Sequence, residues 1–207
     1  MSKQKKIFIF SFVLVLVLAV PIYLVVTSEN LLNESAENVY KFRIRPIDPH
    51  DIMRGKYIRL SYDRSDAVNV HDTTQNLKEG DVVYVTVVRD GDEYARCEMA
   101  YHNPPKTSNY FTTKVGYLSG LRGRWRGVQV IIPFDRYYLK EDFAQQAEDS
   151  YRKLSREQEM YAEVVIKDGD YVLKDVYVNK IPLMEYLKEH ADEYQAEQDS
   201  LRNQPNR

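Results

Sequence analysis

Residues 7–26, IFIFSFVLVLVLAVPIYLVV, carry no charged side chain, and no other feature restricts the folding of this chain so strongly. Backbone in hydrocarbon has no water to bond to, so such a stretch is stable there only as a helix that satisfies its own amides and carbonyls. At about 1.5 Å per residue it spans about 30 Å, the thickness of a hydrocarbon core. Lys3, Lys5 and Lys6 precede it, while Glu29, Glu34 and Glu37 follow. The basic flank is therefore expected to stay cytoplasmic and the rest of the chain to be exported. A cleaved signal peptide is the competing reading. Against it, the apolar run exceeds the usual ~7–15 residues, and Thr27-Ser28-Glu29 is a poor cleavage site. Pro21 falls near the exit end, where one lost hydrogen bond is tolerable, and Tyr23 suits an interface. The expected plan is a cytoplasmic 1–6, a single crossing of the inner (cytoplasmic) membrane at 7–26, a spacer at 27–38, an extracytoplasmic domain at 39–180, and a charged C-terminal helix or tail at 181–207.

The exported part has no strong field of its own. Its 29 basic and 31 acidic residues nearly cancel over the whole chain, so no nucleic-acid partner is expected, and lipid is met through the anchor. Cys97 is the only cysteine, which excludes an intramolecular disulfide and a cysteine zinc site. It shares a strand face with Ala95, Met99 and Tyr101 and is expected to be a buried, inert thiol. Seventeen tyrosines suit sheet faces, where the ring packs and the hydroxyl stays wet, although a ligand-stacking surface would use them too.

Periodicity predicts strands. In 39–45, Tyr40, Phe42 and Ile44 alternate with Lys41, Arg43 and Arg45, and 57–62 follows as a second strand. Further strands are predicted at 82–89, 111–118 and 128–134. Asp90-Gly91 predicts a tight hairpin into 93–101, and Asp168-Gly169 repeats the device. That repeat fits either two similar β units or one shared hairpin rule. Phe143, Ala147, Tyr151 and Leu154 make an apolar stripe along a helix at 142–156. From Pro182 to Leu201 a helix is expected with Leu183, Tyr186, Leu187, His190 and Tyr194 on one face. It could dock a partner, but a solvated helix fraying into a tail is the expected reading. The fold class is then mainly β (α+β), one antiparallel sheet or barrel-like domain with one or two peripheral helices behind a single transmembrane helix.

The densest polar cluster is 45–62. Asp48 and Asp51 are placed to close an Asx-turn or cap a helical turn, with Arg54 as a charge partner. The alternative is a cleft in which Asp48, His50 and Asp51 serve as a metal or acid/base site, but the spacing is no metal signature. Ser61 and Lys56 fall on opposite sides of a strand and cannot form a nucleophile–base pair. The glycines from Gly116 to Gly127 lack the spacing of a phosphate loop. Arg122, Arg124 and Arg126 around Trp125 fit a surface turn or a small anion-binding patch. No cofactor, metal or catalytic residue is assigned.

The run from Pro46 to Tyr62, which ends in Gly55-Lys56-Tyr57-Ile58-Arg59-Leu60-Ser61-Tyr62, resembles the signature of the GDYXXLXY family of bacterial membrane-anchored proteins, with Lys56 in place of the motif aspartate. Phe134 to Glu141 resembles the family's aromatic-bracketed Arg-Tyr-Phe stretch, and Leu173 to Asn179 its closing strand. The resemblance covers about residues 7–180. It implies no known biochemical activity and no catalytic residue to carry over. It does imply a multi-pass membrane protein as a partner, since family members are often encoded beside or fused to one. Lys56 argues against the motif carboxylate being indispensable. The expected function is a non-enzymatic binding or accessory module of the cell envelope using Asp48, Asp51, Arg54, Tyr57, Arg59, Tyr62, Arg136, Tyr137 and Glu141. The alternative is an envelope hydrolase or processing enzyme using Asp48, Asp51 and Glu141.

Overall fold

The computed structural model describes residues 3–45, 57–63, 67–71, 77–91, 93–118, 127–143, 146–147, 149–151, 154 and 158–202. Helix α1 (Lys3–Leu32) contains the apolar stretch, with Pro21 inside it. The segment Phe8–Leu32 has a mean hydropathy of 3.0 and buries nothing of its most apolar window against the rest of the chain. It is long and apolar enough to cross a membrane. The helix does not stop at Val26: with no glycine or proline to break it, it takes in the first six residues of the expected spacer. Asn33 ends it, its side-chain amide donating to the Glu29 carbonyl at 3.0 Å and its backbone N–H to the same oxygen at 3.2 Å. A 3₁₀ turn, Ala36–Asn38, then leads into the first strand.

The strands are β1 (Val39–Arg43), β2 (Tyr57–Arg59), β3 (Ala67–Val70), β4 (Val82–Arg89), β5 (Ala95–Tyr101), β6 (Tyr110–Leu118), β7 (Gly127–Val130), β8 (Arg136–Tyr138), β9 (Met160–Lys167), β10 (Asp170–Val178) and β11 (Ile181–Pro182). The expectation of a sheet or a barrel resolves into both. Strands β3-β5-β4-β6-β7 close a barrel, β1-β9-β10-β11 form a four-stranded antiparallel sheet, and β2-β8 form a ribbon. All barrel pairs are antiparallel except β3 with β5. Register shifts at Thr86/Val87 and Val115/Tyr117 supply the local bends that closure of so small a barrel requires.

Sheet and barrel share one core. Phe134 is its aromatic hub, with ring centroids 5.2 Å from Phe42, 5.4 Å from Tyr62, 5.4 Å from Phe111 and 5.9 Å from Tyr171. It lies in a turn after β7 rather than in a strand reaching residue 134. Bridges Lys41–Tyr94 and Phe111–Gly169 tie the sheet to the barrel edge. Cys97 is buried, as its strand face implies.

The two Asp-Gly turns differ. Lys167 pairs with Asp170 across Asp168 (φ 50°) and Gly169 (φ 96°), a two-residue turn with both residues left-handed. Between Arg89 and Ala95 the loop holds five residues, closed by the Asp90 amide on the Tyr94 carbonyl at 2.7 Å. One hairpin belongs to the sheet and the other to the barrel, so the shared dipeptide reflects turn chemistry and not two similar units.

The apolar stripe of 142–156 is confirmed where described: Phe143 ends a 3₁₀ turn (Glu141–Phe143), while Ala147, Tyr151 and Leu154 are helical and buried. The C-terminal segment is not a solvated tail throughout. It forms α2 (Leu183–Glu189) and α3 (Ala191–Arg202), interrupted at His190, and Leu183 and Leu187 are fully buried in the core. Gln146 donates to the Leu187 carbonyl at 2.7 Å and Tyr194 to Asp149 at 2.6 Å. Amphipathic spacing wins over terminal position because the stripe of 146–154 offers it an apolar surface.

Candidate functional site: the paired signature strands

Strand alternation sorts the signature residues. Ile58, Leu60 and Tyr62 point inward and are buried, while Tyr57, Arg59 and Ser61 point outward. The segment is held against 134–138, the second stretch of the family resemblance. Tyr57, Ile58 and Arg59 pair with Tyr138, Tyr137 and Arg136, and beyond the ladder the Leu60 amide donates to the Asp135 carbonyl at 2.7 Å. The Tyr62 hydroxyl donates to the Phe134 carbonyl at 2.7 Å, so one turn of backbone at the aromatic hub is satisfied by the last motif residue. On the far side, Arg45 donates from its backbone to the Ser61 carbonyl at 2.9 Å and from Nε to Ser61 Oγ at 2.6 Å.

Register makes the outer face. Tyr57 and Tyr138 lie opposite each other with centroids 5.5 Å apart, and the Arg136 guanidinium stands 5.2 Å from the Tyr57 ring. Asp135 lies between two cations, 3.4 Å from Arg59 Nε and 3.8 Å from Arg136 Nε. The hydrogen bond with Tyr138, then the charges near Tyr57 and Asp135, raise the Arg136 pKa above its ordinary value.

The inner tyrosines are locked as phenols. Burial drives Tyr62 well above its ordinary value, with the charge of Asp135 a smaller contributor. Tyr137 is raised by burial and then by Asp175, to whose carboxylate it donates at 2.7 Å. Neither exchanges a proton near neutral pH.

Two clefts adjoin this face. One, of about 420 Å³, lies between Arg45, Arg59, Ser61, Tyr117, Gln129 and Asp135. The other, of about 840 Å³, runs between Arg136, Tyr138, Phe134, Tyr171 and Lys174. They share Arg59, Ile131, Ile132 and Asp135, so they form one trough with the Arg59–Asp135 pair as a sill. A third cleft, of about 560 Å³, lies elsewhere, at His71, Tyr101, His102 and Lys106 beside the barrel.

Of the residues expected to bind, Tyr57, Arg59 and Arg136 come together on the outer face. Tyr62 and Tyr137, expected in the same cluster, turn inward and have their hydroxyls occupied, because the strand period sends them to the core side. Asp48, Asp51 and Arg54 lie outside the described residues, as do His50, the 122–126 arginine patch and the side chain of Glu141. Among the described residues no three His, Cys, Asp or Glu side chains gather as a metal site. Sequence reasoning missed Arg45, Tyr117, Ile131, Asp135 and Tyr138. Asp135 and Tyr138 flank the expected Arg136 and Tyr137, and the strand alternation of that stretch is the signal that could have found Tyr138.

No curated protein and no solved structure matches this chain. The sequence profile of one family, described as GDYXXLXY protein, matches residues 17–176, which spans the C-terminal half of α1, the signature ribbon and most of β10. With its signature strand and Arg-Tyr-Tyr strand paired in one ribbon inside that span, the chain belongs to the GDYXXLXY family.

Proposed function

We propose that the protein is a non-enzymatic binding or accessory module, anchored in the inner membrane with its N-terminus in the cytoplasm and its β domain outside, and that its partner is a multi-pass membrane protein. The observation that carries this reading is the outer face of the signature ribbon, where Tyr57, Arg59, Arg136 and Tyr138 stand beside a trough while the inner side chains are used for folding. Tyrosine and arginine are the side chains that interfaces concentrate at their energetic centres. The lysines before residue 7 and the acidic residues after it support the orientation.

The competing reading, an envelope hydrolase acting through Asp48, Asp51 and Glu141, has no described geometry in its favour. The test is purification of the full chain at native expression level in mild detergent. A stoichiometric membrane protein is the expected companion; recovery of the anchored chain alone would sink the proposal.

A further inference from the structure

Away from the signature ribbon, the cleft of about 560 Å³ beside the barrel is built from three pieces of chain. Its volume falls within the about 300–1,000 Å³ of small-ligand sites. The first piece is His71, just past β3, whose backbone amide donates to the Ala100 carbonyl at 3.0 Å and whose ring stacks on Tyr101, centroids 4.7 Å apart. The second is the end of β5. Thr86 lies opposite Met99 and Val87 opposite Cys97, so Glu98 between them has no residue across from it, and its side chain is exposed. A bulge of this kind re-aims a side chain. The third piece is the loop from His102 to Asn109, which carries Pro104-Pro105. Its far end is fastened by Asn109, which donates from Nδ2 to the Val87 carbonyl at 2.6 Å and accepts from the Val87 amide at 2.9 Å. Two fixed φ angles and that fastening pre-form the wall.

The lining is polar and uncommitted. Glu98, Asn103, Lys106 and Thr107 all line the cleft, and none of the four side chains makes a hydrogen bond or ion pair to another part of the protein. Those groups select the ligand. One carboxylate and one ammonium share the site without pairing, so charge alone recruits neither an anion nor a cation. No three His, Cys, Asp or Glu side chains among the described residues gather for a metal. A peptide finds no free strand edge to extend there, because β3, β4 and β5 each have a neighbour on both sides in the closed barrel. What satisfies a carboxylate acceptor, an ammonium donor and a side-chain amide together is a set of hydroxyls, since each donates and accepts through one atom. The stacked rings of His71 and Tyr101 and the two prolines add flat apolar patches suited to ring C–H groups.

We propose that the cleft between the ends of β3 and β5 and the 102–109 loop is a binding site for a neutral saccharide. Its hydroxyls donate to Glu98 and accept from Lys106 and Asn103, and a sugar ring lies against the His71–Tyr101 pair. The site is separate from the signature ribbon and stands whether or not that ribbon engages a membrane partner.

The test uses the full chain in polyoxyethylene-detergent micelles, which carry no sugar, and saturation-transfer NMR with cellotetraose, maltotetraose and chitotetraose. At least one is expected to bind with a dissociation constant of about 1 mM or tighter, its ring C–H protons receiving the saturation. Glu98→Gln and Lys106→Met, both at exposed positions, are each expected to weaken binding about tenfold with an unchanged melting temperature. His71→Ala, which removes an exposed ring from the stack, is expected to weaken it too, while Lys188→Gln, exposed on α2 and outside the cleft, leaves it unchanged. Failure of all three tetrasaccharides to bind overturns the proposal, as does binding that Glu98→Gln, Lys106→Met and His71→Ala leave intact. Tighter binding of the galacturonic acid or glucosamine tetramer would make this a site for charge, and equal binding of acetylated, amidated tetraglycine a site for peptide; either result overturns it as well.

Discussion

At the scale of residues, the family signature is mostly a folding device. Tyr62 packs its ring on Phe42 and Phe134 and places its hydroxyl on a buried carbonyl. Tyr62→Phe keeps the ring and strands that carbonyl, so a loss of about 1–3 kcal/mol is expected in thermal or denaturant unfolding, with affinity for any partner unchanged. Tyr57 and Arg59, each one residue before an inward position, face outward and carry the binding expectation instead. The alternation that separates these roles is legible in the residues of 57–62 alone. The partner strand is not: nothing in the residues of 136–138 says that Tyr138 lies opposite Tyr57, because register between strands about eighty positions apart is set by the whole core.

Among elements, the two Asp-Gly turns show how far local chemistry reaches. Both are expected from their dipeptides as tight hairpins, and only the second is one. A Cβ at Gly169 would meet Thr112 Oγ1 at 2.9 Å and the Tyr110 ring at 3.2 Å from a φ of 96°, while one at Gly91 would meet nothing within 4 Å. Gly169→Ala is therefore expected to cost about 1–3 kcal/mol in unfolding experiments, and Gly91→Ala less than about 0.5 kcal/mol. Gly169 is tight because its turn is docked on the barrel: its amide donates to the Tyr110 carbonyl and its carbonyl accepts from Thr112, each at 2.9 Å. Such a tertiary dock leaves no periodic trace. The helical stripe at 143–154 does leave one. The overrun of α1 to Leu32 escapes the sequence reading because hydropathy marks where the apolar run ends, not where a helix does.

Taken whole, the molecule should respond to pH at both extremes. Tyr94 is pushed up to about 12, first by burial and then by its hydrogen bond to Glu159, and Tyr177 also to about 12, first by burial and then by Glu163. Tyr62, Tyr137 and Tyr151 are raised as well. Groups with raised pKa values contribute stability that is complete below the ordinary phenol value of about 10 and is lost as pH climbs through the folded values. Absorbance at 295 nm is expected to lag a free-tyrosine curve above pH 10 and catch up in one cooperative unfolding step near or above pH 12; a smooth titration with the fold intact would contradict it.

At the acid end, the hydrogen bond from Lys167 lowers the Glu34 pKa below 4.5, and Glu34 raises that of Lys167 above 10.5. Their contact is present between those values and fails as pH falls through the lowered carboxylate value. A nitroxide placed by Ser35→Cys should be immobile at neutral pH and gain mobility at low pH, and Lys167→Met should give that mobility at every pH.

The juncture below β1 has a mechanical consequence. Arg89 donates to the Glu37 and Val39 carbonyls at 2.5 and 3.1 Å and stacks on Tyr40, while Lys167 grips Glu34 from the other side. A free twelve-residue tether would let the domain sweep a hemisphere. Clamped in this way, the end of α1 and the start of β1 are tied to the domain, so that the segment between them cannot serve as a free swivel and a push on the helix is passed directly to the sheet.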